Sequence, residues 1–160
     1  MHSDFKPFTF LSILNNMDEP FGRKVDKIGR MFQVKLQDDL AHLDIERSFY
    51  PLLLIEAGNG ITQQELATKL NCDKVQVVRI IDYLSSNGYV ERVQNPNDKR
   101  KYELAITPKA KSFIPDIKKS ISCITSLAMK GLSEEQIKAL HHTLSIIESN
   151  LNKNKSNSSK

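Results

Sequence analysis

Two short stretches of this chain concentrate side chains that can grip an anion or read a hydrogen-bonding edge. Lys74-Val75-Gln76-Val77-Val78-Arg79 places a lysine, a glutamine and an arginine close together, and Asp98-Lys99-Arg100-Lys101 sets cations directly after a carboxylate. Lysine and arginine bind phosphate oxygens. A glutamine amide matches the paired acceptor and donor of adenine, and an arginine fork matches guanine. Neither stretch has a nucleophile beside a base. No phosphate loop, nucleophile elbow or zinc-hydrolase helix occurs elsewhere, so polyanion binding is favoured over bond-making chemistry. His42, Asp44 and Glu46 straddle a helix break, and the adjacent His141 and His142 point about 100° apart on a helix. Both are poor chelates, so neither a metal nor a cofactor is expected.

The elements that must position these groups are mostly helices. Phe21, Val25, Ile28, Phe32, Leu36 and Leu40 recur at steps of four or three, which predicts a helix over 21–43 with one apolar face. Asp44 is the expected N-cap of a second helix through Ala57, with Pro51 in or near its first turn, and Gly58-Asn59-Gly60 stops it. Thr62 and Glu65 form a capping box for a short helix ending near Leu70. Asn71 and Cys72 make a tight connection, and Asp73 caps the next helix, which ends near Asn87-Gly88. Two short helices so joined outline a helix-turn-helix. Tyr89, Val90 and Val93 then fit a strand, Asn95-Pro96-Asn97-Asp98 a turn, and Tyr102, Leu104 and Ile106 a second strand. Thr107-Pro108 restarts helix, with Ile114, Ile117, Ile121, Ile124 and Ala128 as its stripe and Pro115 as a possible kink. Gly131 ends it. Ser133 with Gln136 caps a last helix, whose Ile137, Leu140, Leu144, Ile147 and Leu151 are spaced for packing on another helix.

On the second helix of the helix-turn-helix, Val77, Ile80, Ile81 and Leu84 form the inward stripe. Lys74, Val75, Gln76, Val78 and Arg79 remain outward at the end that enters a major groove in such motifs. Gln76 suits adenine, and Arg79 suits guanine or phosphate. Val75 and Val78 either touch thymine methyls or pack under the wing. The hairpin tip carries Asp98, Lys99, Arg100 and Lys101, which lie in water or against phosphate; beside a helix-turn-helix, DNA is the favoured partner. Arg100 suits a narrow minor groove, with Asp98 orienting it through a charge-assisted bond.

Composition sets the outer bounds. The chain has 160 residues, a formal net charge of +4 and 39% hydrophobic residues, enough for a packed core. The pI is about 9.0, which permits an anionic partner. The two cysteines, Cys72 and Cys123, do not resemble a disulfide framework. No run reaches the roughly 18 apolar residues of a membrane span, and Phe8 to Leu14 lacks the flanks of a signal peptide. No membrane partner and a cytoplasmic location are therefore expected. The fold class is mainly α with a small β-hairpin wing. Its expected organisation is an N-terminal arm over 1–20, a helical dimerisation region over 21–45 and 108–151, a winged helix-turn-helix lobe over 46–107, and a disordered tail over 152–160.

Gly60-Ile61-Thr62-Gln63-Gln64-Glu65-Leu66-Ala67, Val77 to Leu84, Gly88-Tyr89-Val90-Glu91-Arg92 and Asn95-Pro96-Asn97-Asp98-Lys99-Arg100 leading to Leu104-Ala105-Ile106-Thr107-Pro108-Lys109-Ala110 occur in one order. Together they resemble the multiple antibiotic resistance regulator (MarR) family, and the Gly131-Leu132-Ser133 turn extends the likeness to about Leu151. The resemblance implies a homodimer with interlocking N- and C-terminal helices. It also implies a pseudo-palindromic double-stranded DNA operator and a transcription factor, most often a repressor, that responds to small molecules or oxidation. Asp98 and Arg100 match the family's wing pattern. Val75, Gln76 and Val78 depart from its usual serine and threonine, which leaves the operator sequence open; a site rich in A·T pairs, touched through thymine methyls, is expected. The family's effector pocket would hold a small apolar or aromatic molecule. Phe32, Leu36, His42 and Phe49 are candidate lining residues, or ordinary core and surface. Cys72 is the redox candidate, against a small buried residue in a tight turn. The competing reading is a winged-helix protein-interaction module without specific DNA affinity.

Overall fold

The computed structural model describes residues 19–43, 45, 48–96 and 98–153. The expected arm, apart from Glu19 and Pro20, the cap at Asp44, and the tail beyond Lys153 lie outside the described residues. The elements run α1 (Phe21–Asp39), a 3-10 turn (Ala41–Leu43), α2 (Phe49–Gly58), α3 (Gln63–Leu70), α4 (Lys74–Ser86), β1 (Val90–Gln94), β2 (Tyr102–Ile106), α5 (Pro108–Ala128) and α6 (Glu134–Lys153). They fall into two compact units that divide within α5, one ending at Ile121 and the other starting at Ser122.

The first unit holds the lobe. α2 is apolar almost all round, and Phe49, Leu52 and Ile55 are buried, as expected of a helix inside a small core. It begins later than the sequence suggests, and Pro51 gives the reason. Proline has no amide hydrogen, so only the first turn accepts it; starting the helix at Phe49 puts Pro51 there. α1 likewise stops at Asp39, and the chain passes through a 3-10 turn that buries Leu43. Leu36 and Leu40 at the end of α1 are buried, while Phe21, Val25 and Ile28 at its start are exposed in the single chain.

Val77, Ile81 and Leu84 of α4 are buried, and Ile80 is half-buried. Each such side chain removed from water contributes about 1.5–3 kcal/mol. The sheet is one antiparallel hairpin in which Val90 faces Ile106 and Gln94 faces Tyr102. The Leu104 amide also donates to the Ile61 carbonyl at 2.8 Å, tying the wing to the entrance of α3. Gly60 makes that approach possible: its φ is +105°, and a Cβ there would lie 2.6 Å from Glu103 Oε2.

Tyr89 closes the lobe on the side of α5. Its hydroxyl donates to the Leu43 carbonyl at 3.4 Å, and the Lys109 ammonium sits 4.2 Å over its ring. Thr107 caps α5 by accepting from the Ala110 amide at 3.3 Å, with Pro108 as the first helical residue. Ser120 donates to the carboxylate of Asp39, linking α5 to the end of α1. In the second unit, Ser133 and Gln136 cap α6 reciprocally: the Gln136 amide donates to Ser133 Oγ at 3.3 Å and the Ser133 amide to Gln136 Oε1 at 2.8 Å. Leu140, Leu144 and Leu151 are exposed along α6. No described helix is long and apolar enough to cross a membrane.

Candidate nucleic-acid interface

Two capping boxes shape the helix-turn-helix. At the start of α3, the Glu65 amide donates to Thr62 Oγ1 at 3.3 Å, and the Thr62 amide donates to Glu65 Oε2 at 2.8 Å. Donation to the carboxylate by the Thr62 amide first, and then by the Thr62 hydroxyl, holds Glu65 below the ordinary carboxyl range; Lys69 and Lys101 add to the effect. Asn71 ends α3 in the left-handed conformation with φ +50°, which asparagine tolerates well. The Cys72 amide then donates back to the Ala67 carbonyl at 3.1 Å. This tight turn delivers Asp73 to the start of α4.

The second box carries a surprise for the recognition edge. The Gln76 amide donates to Asp73 Oδ1 at 2.8 Å, and the Asp73 amide donates to Gln76 Oε1 at 3.3 Å. Gln76 is thus both an exposed group on the outward edge and a structural cap, a role that the expected adenine match did not foresee. The signal was present in the sequence: aspartate followed three residues later by glutamine. Lys74 and Arg79 are exposed beside it. The two valines divide. Val75 is 60% exposed, whereas Val78 is half-buried.

The wing tip is more ordered than a charged turn requires. The Asp98 carbonyl accepts from the Lys101 amide at 2.9 Å, so backbone closure lies over Asp98–Lys101, beyond the Asn95–Asp98 turn read from the sequence. The earlier turn exists as a side-chain device: Asn95 Oδ1 accepts from the Asp98 amide at 2.9 Å, while Asn95 Nδ2 donates to Glu103. Gln94 Nε2 donates to the Lys99 carbonyl at 2.6 Å. Neither Asn95 nor Gln94 was among the expected site residues; an asparagine opening a turn was the available cue. Asp98 Oδ1 accepts from the Arg100 amide at 3.1 Å and lies 3.8 Å from Arg100 Nε. The carboxylate therefore positions Arg100 chiefly through its main chain. The Arg100 side chain is 96% exposed and reaches into solvent with Lys99 and Lys101. An exposed ion pair of 3.0 Å from Arg92 to Asp82 also links β1 to α4.

The remaining candidates differ in exposure. Leu36 and Phe49 are buried, Phe32 is half-buried and His42 is exposed. A concavity of about 460 Å³ lies at the helix-turn-helix, lined by Gln63, Gln64, Ala67, Lys74 and Val77. Cys72 is half-buried in its turn.

A helix-turn-helix followed by a two-stranded wing is a winged helix-turn-helix, and comparisons with known proteins agree. Residues 47–102 match the sequence profile of the MarR family. The transcriptional regulator BilQ of Clostridioides difficile is 29% identical over 99 residues, covering 62% of this chain and 67% of that protein. The multiple antibiotic resistance protein MarR of Salmonella typhimurium is 33% identical over 90 residues, covering 56% of this chain and 62% of that protein. Among solved structures, a MarR family regulator from Listeria monocytogenes complexed with a 26mer DNA aligns with TM-score 0.77 and 25% identity, covering 83% of this chain and 89% of that one. A MarR variant from E. coli complexed with operator DNA aligns with TM-score 0.72 and 28% identity, covering 80% and 93%. The chain thus carries the MarR family's profile over residues 47–102 and is similar in fold to solved MarR family regulators.

Proposed function

We propose that this chain is a transcriptional regulator that binds a specific double-stranded DNA site as a homodimer. The observation that carries the reading is the pair of outward surfaces. The exposed Lys74, Gln76 and Arg79 edge of α4 and the Lys99, Arg100 and Lys101 tip belong to one unit, in which the Arg92–Asp82 pair links β1 to α4. Recognition helices enter the major groove by their N-terminal part, where Lys74, Val75, Gln76, Val78 and Arg79 lie. The wing cations suit phosphate, and Arg100 suits the minor groove. Relatives of the same fold have been crystallised with DNA, which supports the assignment. The dimerisation region is residues 21–45 and 108–151. Repression relieved by a small apolar or aromatic effector is the mode of action we assign, in the cytoplasm and without catalysis.

The test is a titration of the full chain against DNA from its own upstream region and against scrambled DNA, at several salt concentrations. Preferential binding that weakens steeply with salt is expected, because each neutralised phosphate releases counterions. Arg100→Ala is expected to lower affinity about tenfold and to reduce the salt slope by about one. A protein-interaction module would bind both DNAs weakly and alike, with no response to the substitution.

A further inference from the structure

We infer that Gln76 reads its base as a hydrogen-bond donor only, because its own helix holds its carbonyl oxygen. The inference rests on the DNA-binding reading and deepens it to the chemistry of one base contact. Gln76 sits at the third position of α4, where its Oε1 accepts from the Asp73 amide at 3.3 Å and its own amide is capped by Asp73 Oδ1 at 2.8 Å. A glutamine amide has one acceptor atom and one donor atom in a rigid plane. With Oε1 turned toward the helix start, Nε2 projects from the opposite side of the amide, and among the described residues it makes no hydrogen bond.

The paired contact to adenine uses both atoms: Nε2 donates to N7, and Oε1 accepts from the 6-amino group. Making it alongside the cap requires Oε1 to accept two bonds at once, one on each lone pair, with the amide plane already set by Asp73. Donating from Nε2 alone leaves the cap intact. The major-groove acceptors open to it are guanine O6, a purine N7 and thymine O4. Arg79, one turn further along the same edge, is likewise only a donor. The exposed polar groups at these two positions therefore favour a half-site edge rich in acceptors.

The experiment begins with the full chain and an operator selected from random DNA. Affinities are then compared for wild type, Gln76→Met and Gln76→Glu at each base pair. Glutamate accepts the cap bond but cannot donate, so Gln76→Glu is expected to keep the wild-type unfolding temperature. Both variants should lose the same base preference, by roughly three- to tenfold for one neutral hydrogen bond. At that pair, adenine or cytosine is next replaced by an analogue lacking its major-groove amino group. Wild type and Gln76→Met should respond to this change equally. Two results overturn the inference: a preference retained by Gln76→Glu, or an amino deletion that costs wild type fivefold more than Gln76→Met. A wild-type protein that selects no sequence at all removes the DNA-binding reading itself, and this inference with it.

Discussion

The Glu65 carboxylate accepts both the amide and the hydroxyl of Thr62, each at 2.8 Å. These bonds favour its charged form, so its pKa lies lower in the folded chain than in the unfolded one. The sign follows from linkage. The contribution is fully present above the ordinary value of 4.5 and is lost as pH falls through the lower folded value. Glu65→Gln keeps an acceptor for the cap but removes the titration. Unfolding followed by circular dichroism between about pH 3 and pH 5 is expected to show a shallower loss of stability in the variant. Equal slopes in the two proteins would remove Glu65 from the acid sensitivity of the lobe. Val75 belongs to this scale as well. Its 60% exposure leaves an apolar group where a thymine methyl can meet it, whereas half-buried Val78 packs partly into the lobe.

Among the elements, the junction of α2, α3 and β2 depends most on backbone conformation. Gly60 has φ +105°, and an added Cβ would meet the Glu103 carboxylate. The Glu103 side chain is flexible and can swing aside; the backbone cannot, since positive φ is unfavourable for other L residues. Gly60→Ala is expected to destabilise the chain by about 1–3 kcal/mol, read as a lower urea midpoint. A midpoint equal to that of wild type would mean that the turn can adopt another conformation. The same junction sets the wing, since Leu104 bonds Ile61 one residue after Gly60.

For the whole molecule, two apolar stripes are left bare in the single chain. One is Phe21, Val25 and Ile28 on α1, and the other is Leu140, Leu144 and Leu151 on α6. In the proposed homodimer these stripes are the surfaces that a partner would cover. Light scattering of the full chain is expected to give twice its mass of 18.2 kDa. Leu144→Glu, at a residue 42% exposed, is expected to yield a folded protein of single-chain mass. Its operator affinity should fall by roughly 100-fold or more, because two linked half-site contacts gain affinity from effective concentration. A variant that remains dimeric would move the interface away from α6.

What the sequence determined by itself was local. Thr62 with Glu65 and Ser133 with Gln136 announced their helix starts, Gly58-Asn59-Gly60 a stop, and the alternation of Tyr102, Leu104 and Ile106 a strand. These signals act within one turn or one strand, so no distant partner is needed to read them. The inward stripe Val77, Ile81 and Leu84 was legible for the same reason, and with it the outward edge. Only the tertiary structure decided which valine stays exposed and how Asn95 and Gln94 order the wing tip, whereas the Asp73–Gln76 cap was a local signal like the other boxes. Burial depends on residues distant in sequence, and a side chain able to bond either outward or to its own backbone is settled by the geometry around it. The outward edge was visible as a periodicity; what Gln76 can offer from it became visible once the Asp73 amide was found to occupy its carbonyl oxygen.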